Sequence, residues 1–577
     1  MHRSEKFPTY LRFGCFAARL YTTSEMKLPH RLAVLGLLLL VCANLSLASA
    51  YNAHPKLIVI VIIDQFRGDY LERYRDQFGE GGFKLFLDHG SNFTDCNYNY
   101  VNTATAPGHA TLLTGAYSNG HGIMANAWWD PQKKRMVTAV FDESTKVVGI
   151  PGDNPGMSPH NLLASALGDE LKLATQGKSR VFGISMKDRS AILAAGFSAN
   201  GAYWVDGKSG AWVTSTYYRD ALPKWVQDFN DSKRVDKYWN REWKDANGNV
   251  LRTTKPNEKS RDFFGIVGST PYGNDYEFEF AREAISAEKL GRGPTTDLLT
   301  ISLSANDILG HEVGPDSPEM QAMALALDRQ LADFFNFLGQ QIGLSNVWLV
   351  LSADHGVSPV PAVALKLRIP ALGLDDEKRR VQVNEALATT FGKKAEYVRV
   401  LNYPVVWLDK DAFPANMKEE DAERTVGEAW VHLGMRGYYG RSQLAHGDVP
   451  NSEQGIKYLH SYSAYGGWYV IGVPAPYTIG SEKGTDHASP YTYDTHVPLA
   501  FYGAPFQPGT YRTHAEPVDL TVTLASLLGI NAPSHAIGRV LTEALSSARR
   551  AENMEIPHSS GSEQVRPVMW GQHGGSH

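Results

Sequence analysis

The chain has 577 residues, a length that predicts either one large domain with insertions or two closely joined lobes. Hydrophobic residues make up 43% and charged residues 20% of the sequence, near the averages of globular proteins, which excludes a disordered or fibrous chain. A formal net charge of −5 over this length excludes a strong basic field, so we expect no nucleic acid as a structural partner.

The first 50 residues have the pattern of an export leader. A basic segment precedes an uninterrupted apolar run at 32–41, and the small residues at 48–50 match a cleavage site. We therefore expect residues 1–50 to be removed, with translation starting at Met1 or Met26, and the mature chain to be periplasmic or secreted. The apolar run is shorter than the ~20 residues that cross a bilayer, so we expect no stable membrane anchor.

Two of the three cysteines, Cys15 and Cys42, lie in the predicted leader. The mature chain would keep only Cys96 and could form no internal disulfide. Lipid attachment at Cys42 is an alternative to cleavage after residue 50, but the bulky Val41 stands where a small residue is expected. Stability must therefore come from the core and from bound metal.

Four apolar runs predict strands that are buried in a parallel sheet, at 56–63, 180–186, 297–304 and 347–352. The clearest helix begins at the N-cap Ser317 with Pro318 in its first turn. Its apolar face comprises Met323, Leu327, Leu331, Phe334 and Leu338. Alternating strands and helices predict an α/β fold with a doubly wound, mostly parallel sheet flanked by helices, and catalytic groups just beyond the carboxyl ends of the strands.

Two stretches interrupt this alternation, at about 199–294 and 356–481, and both are rich in Gly, Pro, Trp and Tyr. We interpret them as insertions that form a cap over the site. The alternative for most of their aromatic residues, such as Trp204, Trp212, Trp225, Tyr438 and Tyr439, is that they fill a secondary core. The catalytic domain would then span 51–545, and the polar composition of 546–577 predicts a disordered tail.

Seven hard-oxygen or imidazole groups stand at predicted strand ends or turns: Asp64, Thr105, Asp307, His311, Asp354, His355 and His487. Singly, each has a plain alternative, such as a helix cap for Asp64 or a surface position for His311. The combination is informative because Asp307-x-x-x-His311 follows one strand and the Asp354-His355 pair follows another. Carboxylate and imidazole ligands without a thiolate are typical of a catalytic zinc site.

In these motifs, the sequence resembles the alkaline phosphatase superfamily from about residue 56 to 545, and most of all the phosphate-irrepressible alkaline phosphatases related to nucleotide pyrophosphatase/phosphodiesterases. The resemblance implies two Zn²⁺ per chain. One would be held by Asp307, His311 and His487, and the other by Asp64, Thr105, Asp354 and His355. The ordered series of motifs makes this resemblance specific.

Thr105 opens the segment Thr-Ala-Pro-Gly-His ahead of an apolar stretch. Pro107 favours the first turn of a helix, which would place Thr105 at a helix N-terminus, where N–H groups and the dipole favour a phosphoryl anion. The resemblance implies that Thr105 is a zinc-activated nucleophile and forms a phosphothreonine that is later hydrolysed. A simple capping role is the alternative for Thr105.

Lys187 and Arg189 follow the predicted strand at 180–186, and in an extended chain their side chains would face the same side. The resemblance implies that these cations and Asn126 grip the phosphoryl oxygens. Two cations and an amide donor favour the extra charge of a phosphate monoester over a diester. The alternative is ordinary ion pairing, for example with Asp188.

The resulting prediction is an exported phosphoric monoester hydrolase that acts on small-molecule phosphate esters. The nearest alternative is a nucleotide pyrophosphatase/phosphodiesterase, which would need a pocket for a nucleoside or a second ester group. Sulfatases use Cys or Ser in a Cys/Ser-x-Pro-x-Arg motif, and the related phosphoglycerate mutases use Ser in the cytosol, so neither fits. A non-catalytic zinc- or phosphate-binding protein would have lost a ligand, and none is missing. We expect His109, His121 and Asp486 to orient neighbouring loops. The sequence does not indicate an oligomeric state.

Overall fold

The computed structural model of the protein describes residues 54–546, apart from 153 and 258. The predicted leader at 1–50 lies outside the described residues, and so does the predicted tail at 546–577 except for Ser546. No helix in the described ranges is long and apolar enough to cross a membrane.

The strands in the described part of the chain are β1 (Leu57–Ile63), β2 (Ser91–Phe93), β3 (Ala127–Asp130), β4 (Arg135–Thr138), β5 (Phe141–Val148), β6 (Pro155–Met157), β7 (Val181–Ser185), β8 (Gly201–Val205), β9 (Trp212–Ser215), β10 (Glu242–Lys244), β11 (Val250–Thr253), β12 (Asp297–Leu303), β13 (Val347–Ser352), β14 (Leu372–Gly373), β15 (Val398–Asn402), β16 (Val405–Leu408), β17 (Gly437–Gly440), β18 (Tyr469–Val473), β19 (Thr478–Ile479), β20 (Leu499–Tyr502) and β21 (Gly509–Tyr511).

The α-helices there are α1 (Tyr70–Arg73), α2 (Phe83–His89), α3 (Thr105–Thr114), α4 (Ser118–His121), α5 (Leu167–Ala174), α6 (Asp188–Ala195), α7 (Lys224–Asp231), α8 (Phe263–Ile266), α9 (Pro271–Ala287), α10 (Ala305–Val313), α11 (Pro318–Gln341), α12 (Pro361–Lys366), α13 (Asp376–Phe391), α14 (Glu419–His432), α15 (Arg441–Ala445), α16 (Glu453–His460), α17 (Thr492–Thr495) and α18 (Val518–Leu528).

A central sheet of 11 strands has the order β21-β2-β20-β13-β1-β12-β7-β8-β9-β5-β6. The strands β13, β1, β12, β7 and β8 are parallel to one another, whereas most of the strands toward the two edges pair antiparallel. Helices flank this sheet, so the predicted α/β class with a largely parallel central sheet is confirmed. The four predicted strand runs correspond to β1, β7, β12 and β13.

The sequence of β1 explains its central position. All seven residues, Leu-Ile-Val-Ile-Val-Ile-Ile, are fully buried. Burying each such side chain stabilises the fold by about 1.5–3 kcal/mol, and a strand that is apolar on both faces needs partners on both edges and cover on both faces. The centre of a sheet flanked by helices satisfies both needs.

The predicted helix after Ser317 is also confirmed. The Ser317 hydroxyl accepts a hydrogen bond from the N–H of Met320, and Pro318 occupies the first turn of α11. The predicted apolar face, which includes Leu327 and Leu331, is buried. The N-cap and the helical spacing of apolar residues were therefore sufficient to locate this element.

The stretch at 199–294 begins as a continuation of the central sheet, not as an interruption of it. β8 pairs parallel with β7, and β9 pairs antiparallel with β8. Trp212 in β9 is fully buried and stacks on Phe280 of α9 at 3.9 Å between ring centroids. The aromatic residues in this part therefore belong to the core of the central sheet. A composition rich in aromatic residues does not distinguish such a core from an insertion.

The stretch at 356–481 forms a separate layer. Its sheet has the order β15-β16-β18-β17, and the helices α13 and α14 contact it. Val406, Trp430 and Val470 are among the buried residues of its own hydrophobic cluster. This organisation agrees with an insertion in the α/β fold, and the function of the stretch as a cap stays a prediction.

Candidate metal centre and phosphoryl site

Four neighbouring parallel strands end at the same edge of the central sheet, and the predicted site residues lie beyond these ends. Asp64 directly follows β1, and Lys187 lies two residues beyond β7. Asp307 lies in the first turn of α10, which follows β12, and Asp354 lies two residues beyond β13. Residues that are up to about 300 positions apart in sequence are brought together in this way because parallel strands share one carboxyl edge.

The first cluster comprises Asp307, His311 and His487, whose ligand atoms lie within 4.8 Å of one another. Asp307 and His311 share one face of α10, since they are four residues apart. His311 Nδ1 donates to the carbonyl of Thr485 at 2.9 Å, and His487 Nδ1 donates to the carbonyl of Thr103 at 2.6 Å. Burial opposes protonation of His311, but the Asp307 carboxylate outweighs it and raises the pKa of His311 to about 9.

The second cluster comprises Asp64, Asp354 and His355, again with ligand atoms within 4.8 Å, and all three are fully buried. His355 Nδ1 donates to the carbonyl of Gly356 at 2.8 Å. Asp64 Oδ1, Asp354 Oδ2 and His355 Nε2 have no hydrogen-bond partner among the described residues. Three buried polar atoms left without partners at one point are costly unless a ligand satisfies them.

Burial dominates the protonation of these groups. It raises the pKa of Asp354 well above its usual range, and repulsion from Asp64 adds to that rise. It lowers the pKa of His355 to about 4 and that of His487 to about 3. These two imidazoles are therefore neutral near neutral pH, which is the form that can bind a metal.

The residues of both clusters fit a divalent metal such as zinc. A carbonyl oxygen can only accept, so each of the three histidines carries a proton on Nδ1. The neutral His355 and His487 therefore keep the Nε2 lone pair free, whereas Nε2 of His311 lies 3.2 Å from Asp307 Oδ1 and would release its proton when a metal binds. Three carboxylates complete a set of nitrogen and oxygen ligands without a thiolate, and the unpartnered buried atoms of the second cluster converge on one point. Each cluster could therefore hold one metal ion.

Thr105 is the first residue of α3, and its neighbours link this segment to both clusters. Its carbonyl accepts from His109 Nδ1 at 2.8 Å, and the same nitrogen lies 3.4 Å from Asp354 of the second cluster. Two residues earlier, Thr103 contacts His487 of the first cluster. The N-cap of α3 is Ala104, and the Thr105 hydroxyl makes no hydrogen bond to any other described residue, so it does not cap the helix.

Lys187 joins the two clusters electrostatically. Its Nζ lies 2.5 Å from Asp64 Oδ2 and 2.5 Å from Asp307 Oδ2. Burial alone would raise the pKa of Asp307, but the positive charges of Lys187 and His311 together outweigh burial and lower this pKa well below the usual range. Burial likewise opposes the charge on Lys187, yet Asp307 and Asp64 raise its pKa, so the ammonium stays charged.

Arg189 is arranged differently from the extended pattern considered in the sequence. The chain enters α6 at Asp188, so Lys187 is the N-cap and Arg189 lies in the first turn. Arg189 Nη1 lies 3.8 Å from Asp188 Oδ1, a long ion pair, and the buried Nε of Arg189 has no partner among the described residues.

Asn126, the third residue of the predicted phosphoryl site, accepts from the N–H of Ala106 at 2.8 Å, next to Thr105.

The three residues expected to orient loops have distinct surroundings. His109 Nε2 accepts from the Ser302 hydroxyl at 2.7 Å, so this ring links α3 to β12. His121 is buried, contacts the Thr111 hydroxyl at 3.1 Å and accepts from the N–H of Ile123 at 3.1 Å. Asp486 accepts from the N–H of His487 at 2.9 Å.

Sequence reasoning missed several residues that support the clusters. Asn306 donates its amide to the carbonyl of Asp64 at 2.9 Å. Gln65 contacts carboxylates of both clusters. Each of these amides is adjacent in sequence to a predicted ligand, which was the available signal, whereas the carbonyls of Thr103 and Thr485 carry no signal because any residue supplies a carbonyl.

Comparison with known proteins found a family model and similar proteins that cover most of the chain. The family model described as type I phosphodiesterase/nucleotide pyrophosphatase matches residues 58–422. A protein of Myroides odoratus named calcium-transporting ATPase is 36% identical, over 86% of this chain and 96% of its own length. Alkaline phosphatase PhoV of Synechococcus elongatus is 35% identical, over 85% of this chain and 93% of its own length.

The fold matches a solved structure as well. The crystal structure of wild-type alkaline phosphatase PafA superimposes with a TM-score of 0.75 and 30% sequence identity. The match covers 85% of this chain and 99% of that chain.

Proposed function

Because this chain belongs to the type I phosphodiesterase/nucleotide pyrophosphatase family, we propose that it is an alkaline phosphatase that hydrolyses small-molecule phosphate monoesters at the two clusters. The resemblance to the alkaline phosphatase superfamily that was identified from the motifs is confirmed by the family match. We further propose two zinc ions as cofactors and export by way of the segment at 1–50.

One observation carries this proposal: the start of a helix that opens with a threonine is linked to both clusters, and a buried, charged lysine bridges the same two clusters. Thr105 begins α3, and Lys187 Nζ contacts one carboxylate of each cluster. The N–H groups of the first turn and the helix dipole favour a phosphoryl anion at this point. A hydroxyl nucleophile, an anion site and a cation are therefore all supplied by segments that contact the two clusters.

The residues would divide the work as follows. Asp64, Asp354 and His355 would hold one ion together with Thr105, and Asp307, His311 and His487 would hold the other. When bound, zinc supplies positive charge that favours an ionised hydroxyl and stabilises developing negative charge. Thr105 Oγ1 attacks phosphorus, the P–O bond to the alcohol breaks, and the alcohol leaves after taking up a proton. Water then cleaves the phosphothreonine, which restores the threonine and releases inorganic phosphate.

Three residues would favour a monoester over a diester. The Asn126 carbonyl is held by the Ala106 N–H, which leaves its NH₂ group to donate to a phosphoryl oxygen. Lys187 and the free Nε of Arg189 supply further donors and positive charge. A monoester has one more anionic oxygen than a diester, and this set compensates that charge in the transition state.

The second candidate function is phosphodiester or nucleotide pyrophosphate hydrolysis, which the description of the matching family model favours. That chemistry uses the same nucleophile and clusters. The two functions differ in the substrate at phosphorus. A monoester has three non-bridging oxygens, whereas in a diester a second ester group replaces one of them.

The deciding measurement is the ratio of kcat/KM for a monoester and a diester with the same leaving group, on the zinc-loaded protein. We expect a ratio on the order of 10³ or more in favour of the monoester, because two cations and an amide donor each act on its additional anionic oxygen. A preference for the diester would leave the clusters and Thr105 in place but assign the protein to the phosphodiesterases. Absence of turnover with both substrates would indicate a zinc- or phosphate-binding protein.

A further inference from the structure

Gln65 has an unusual backbone conformation beside the clusters. It follows Asp64 immediately, has a φ of 62°, and is fully buried. The left-handed region is unfavourable for a non-glycine residue, and such strain persists only where the surroundings hold it in place. The chain nevertheless has glutamine here and not glycine, so the side chain itself must contribute something.

The backbone and the side chain of Gln65 contact different clusters. Its N–H donates to Asp354 Oδ1 of the second cluster at 3.0 Å. Its side-chain Nε2 donates to Asp307 Oδ1 of the first cluster at 2.8 Å. Both acceptors are buried carboxylates, to which a hydrogen bond fixes the orientation of the oxygens.

The orientation of the amide is determined by Asp307. Gln65 Oε1 is buried and has no hydrogen-bond partner in the described part of the chain. Rotating the amide by 180° would turn this oxygen toward the Asp307 carboxylate, which can only accept when ionised. The side chain therefore leaves its acceptor unsatisfied and keeps the contact with the cluster.

We propose that Gln65 is a positioning residue that couples the two metal clusters, in that one residue holds a carboxylate ligand of each at a set separation. This inference rests on the proposed function, because it concerns the metals that the function requires. The side-chain amide orients Asp307, and the strained backbone directs the N–H to Asp354 and the side chain to the opposite cluster.

Gly310 provides an independent approach to the same contact. It lies in α10 between Asp307 and His311, and a Cβ at this position would lie 2.1 Å from Gln65 Oε1. Alanine suits a helix interior, so Gly310→Ala would displace the amide of Gln65 while leaving its chemical identity unchanged. Two different substitutions can therefore break the same hydrogen bond.

The test is calorimetric titration of the metal-free protein with Zn²⁺, which does not depend on turnover. Gln65→Met retains the side-chain length and the backbone N–H but loses the amide. To measure the zinc affinity of each cluster separately, Gln65→Met is combined with one of two further substitutions. His355→Ala disables the second cluster, so this background reports the first; His487→Ala disables the first cluster, so this background reports the second. We expect a loss of zinc affinity of about 10-fold or more in the His355→Ala background, and a change below about threefold in the His487→Ala background.

Gln176→Met is the matched control, because Gln176 also has a left-handed backbone, with a φ of 54°, but is exposed and distant from the clusters. It should bind zinc as the parent does, and Gly310→Ala should reproduce the loss of Gln65→Met. Should Gln65→Met fail to fold, Gly310→Ala alone decides.

The outcomes separate the two proposals. A parent protein that binds fewer than two zinc ions would refute the proposed function. A second outcome is a parent that binds two zinc ions while Gly310→Ala and Gln65→Met leave the zinc affinity unchanged, or weaken it equally at the two clusters. This outcome would overturn the role of Gln65 and leave the proposed function standing.

Discussion

At the scale of single residues, the site depends on which atom of each side chain is already engaged. The three cluster histidines donate Nδ1–H to carbonyls, which leaves Nε2 as the ring nitrogen that can bind a metal. Asn126 has its carbonyl engaged, and the hydroxyl of Thr105 is free among the described residues. Each group is therefore prepared for one role before any ligand binds, which reduces the cost of reorganisation during catalysis.

Thr105→Ala should reduce kcat for a phosphate monoester by at least about 10³-fold, since no other described hydroxyl occupies the start of α3. Thr105→Ser should retain more activity because it keeps the nucleophilic oxygen. Rapid acid quench with a labelled substrate should detect a phosphorylated residue in the parent and none in Thr105→Ala. Phosphate trapped on another residue would contradict the assignment.

Lys187→Ala and Arg189→Ala should each reduce kcat/KM for the monoester by about 10²-fold and by much less for a matched diester, because the diester lacks the oxygen they would compensate. Arg73→Ala is a suitable control, since Arg73 pairs with Asp69 and Asp316 at the surface. Equal losses with both substrates would mean that the two cations act structurally, as in the ion-pair alternative for Arg189.

At the scale of elements, close packing of α3 against the strand-end loop after β13 sets the distance between Thr105 and the second cluster. All ten residues of α3 are buried. A Cβ on Gly108 would lie 2.3 Å from the backbone oxygen of Asp354, which cannot move without moving the ligand. Glycine at this position therefore serves a close approach and not a turn.

Gly108→Ala should lower the free energy of unfolding by about 1–3 kcal/mol, because overpacking against backbone outweighs the better helix propensity of alanine. It should also weaken zinc binding by the second cluster. Gly339→Ala in α11 is the matched control: the nearest atom to its Cβ would be Leu344 Cβ at 4.0 Å, so it should be neutral or slightly stabilising. Chemical denaturation measures both, and equal stabilities would refute the packing argument.

A buried carboxyl in α14 makes the layer at 356–481 sensitive to pH. Burial, with a contribution from Glu419, raises the pKa of Glu423 to about 8, although Ser442 donates to it. The unfolded chain ionises this group near pH 4.3, so the folded state binds more protons between these values. The stability contributed by Glu423 is therefore complete below about pH 4 and is lost as the pH rises toward about 8.

Glu423→Gln should remove this loss. Relative to the parent, its free energy of unfolding should increase between about pH 5 and pH 8 by on the order of 1 kcal/mol or more and then stay level. Glu420→Gln, an exposed substitution on the same helix, should show no such increase. Urea denaturation at several pH values tests this, and parallel pH profiles for the parent and Glu423→Gln would contradict it.

At the scale of the whole molecule, the clusters join distant parts of the chain. Asp64 follows the first strand, and His487 lies in a loop more than 400 residues later. The contact between His487 and Thr103 also brings the segment after the 356–481 layer against the start of α3. Metal bound here would connect the central sheet, α10 and that late segment.

Chelation should therefore destabilise the whole protein. Zinc at about 1,000 times its Kd stabilises the folded state by about 4 kcal/mol per site, so an excess of EDTA should lower the apparent Tm by about 5 °C or more. Zinc added back should restore it, and a variant that lacks both His355 and His487 should show little response. A Tm unaffected by EDTA in the parent would contradict binding at these clusters.

Much of this protein was determined by local sequence. Apolar runs such as the one in β1 predicted the buried strands because nothing but a sheet covered on both faces accommodates them, and Ser317 with Pro318 located α11 through capping. The family followed from the order and spacing of the motifs. The seven candidate site residues were recognisable because carboxylate, imidazole and hydroxyl groups recur at strand ends, at a helix start and in turns, in a specific order and spacing.

Tertiary structure alone decided the remaining features. The strands β8 and β9 join the central sheet through backbone pairing, which aromatic composition does not reveal. Arg189 lies in a helix where an extended chain was considered, because α6 begins at Asp188. The carbonyls that orient the histidines and the contact of Gln65 with both clusters arise from loops that are distant in sequence, and no periodicity or spacing encodes such contacts. Local patterns thus specify elements and reactive groups, whereas three-dimensional packing determines which groups orient one another.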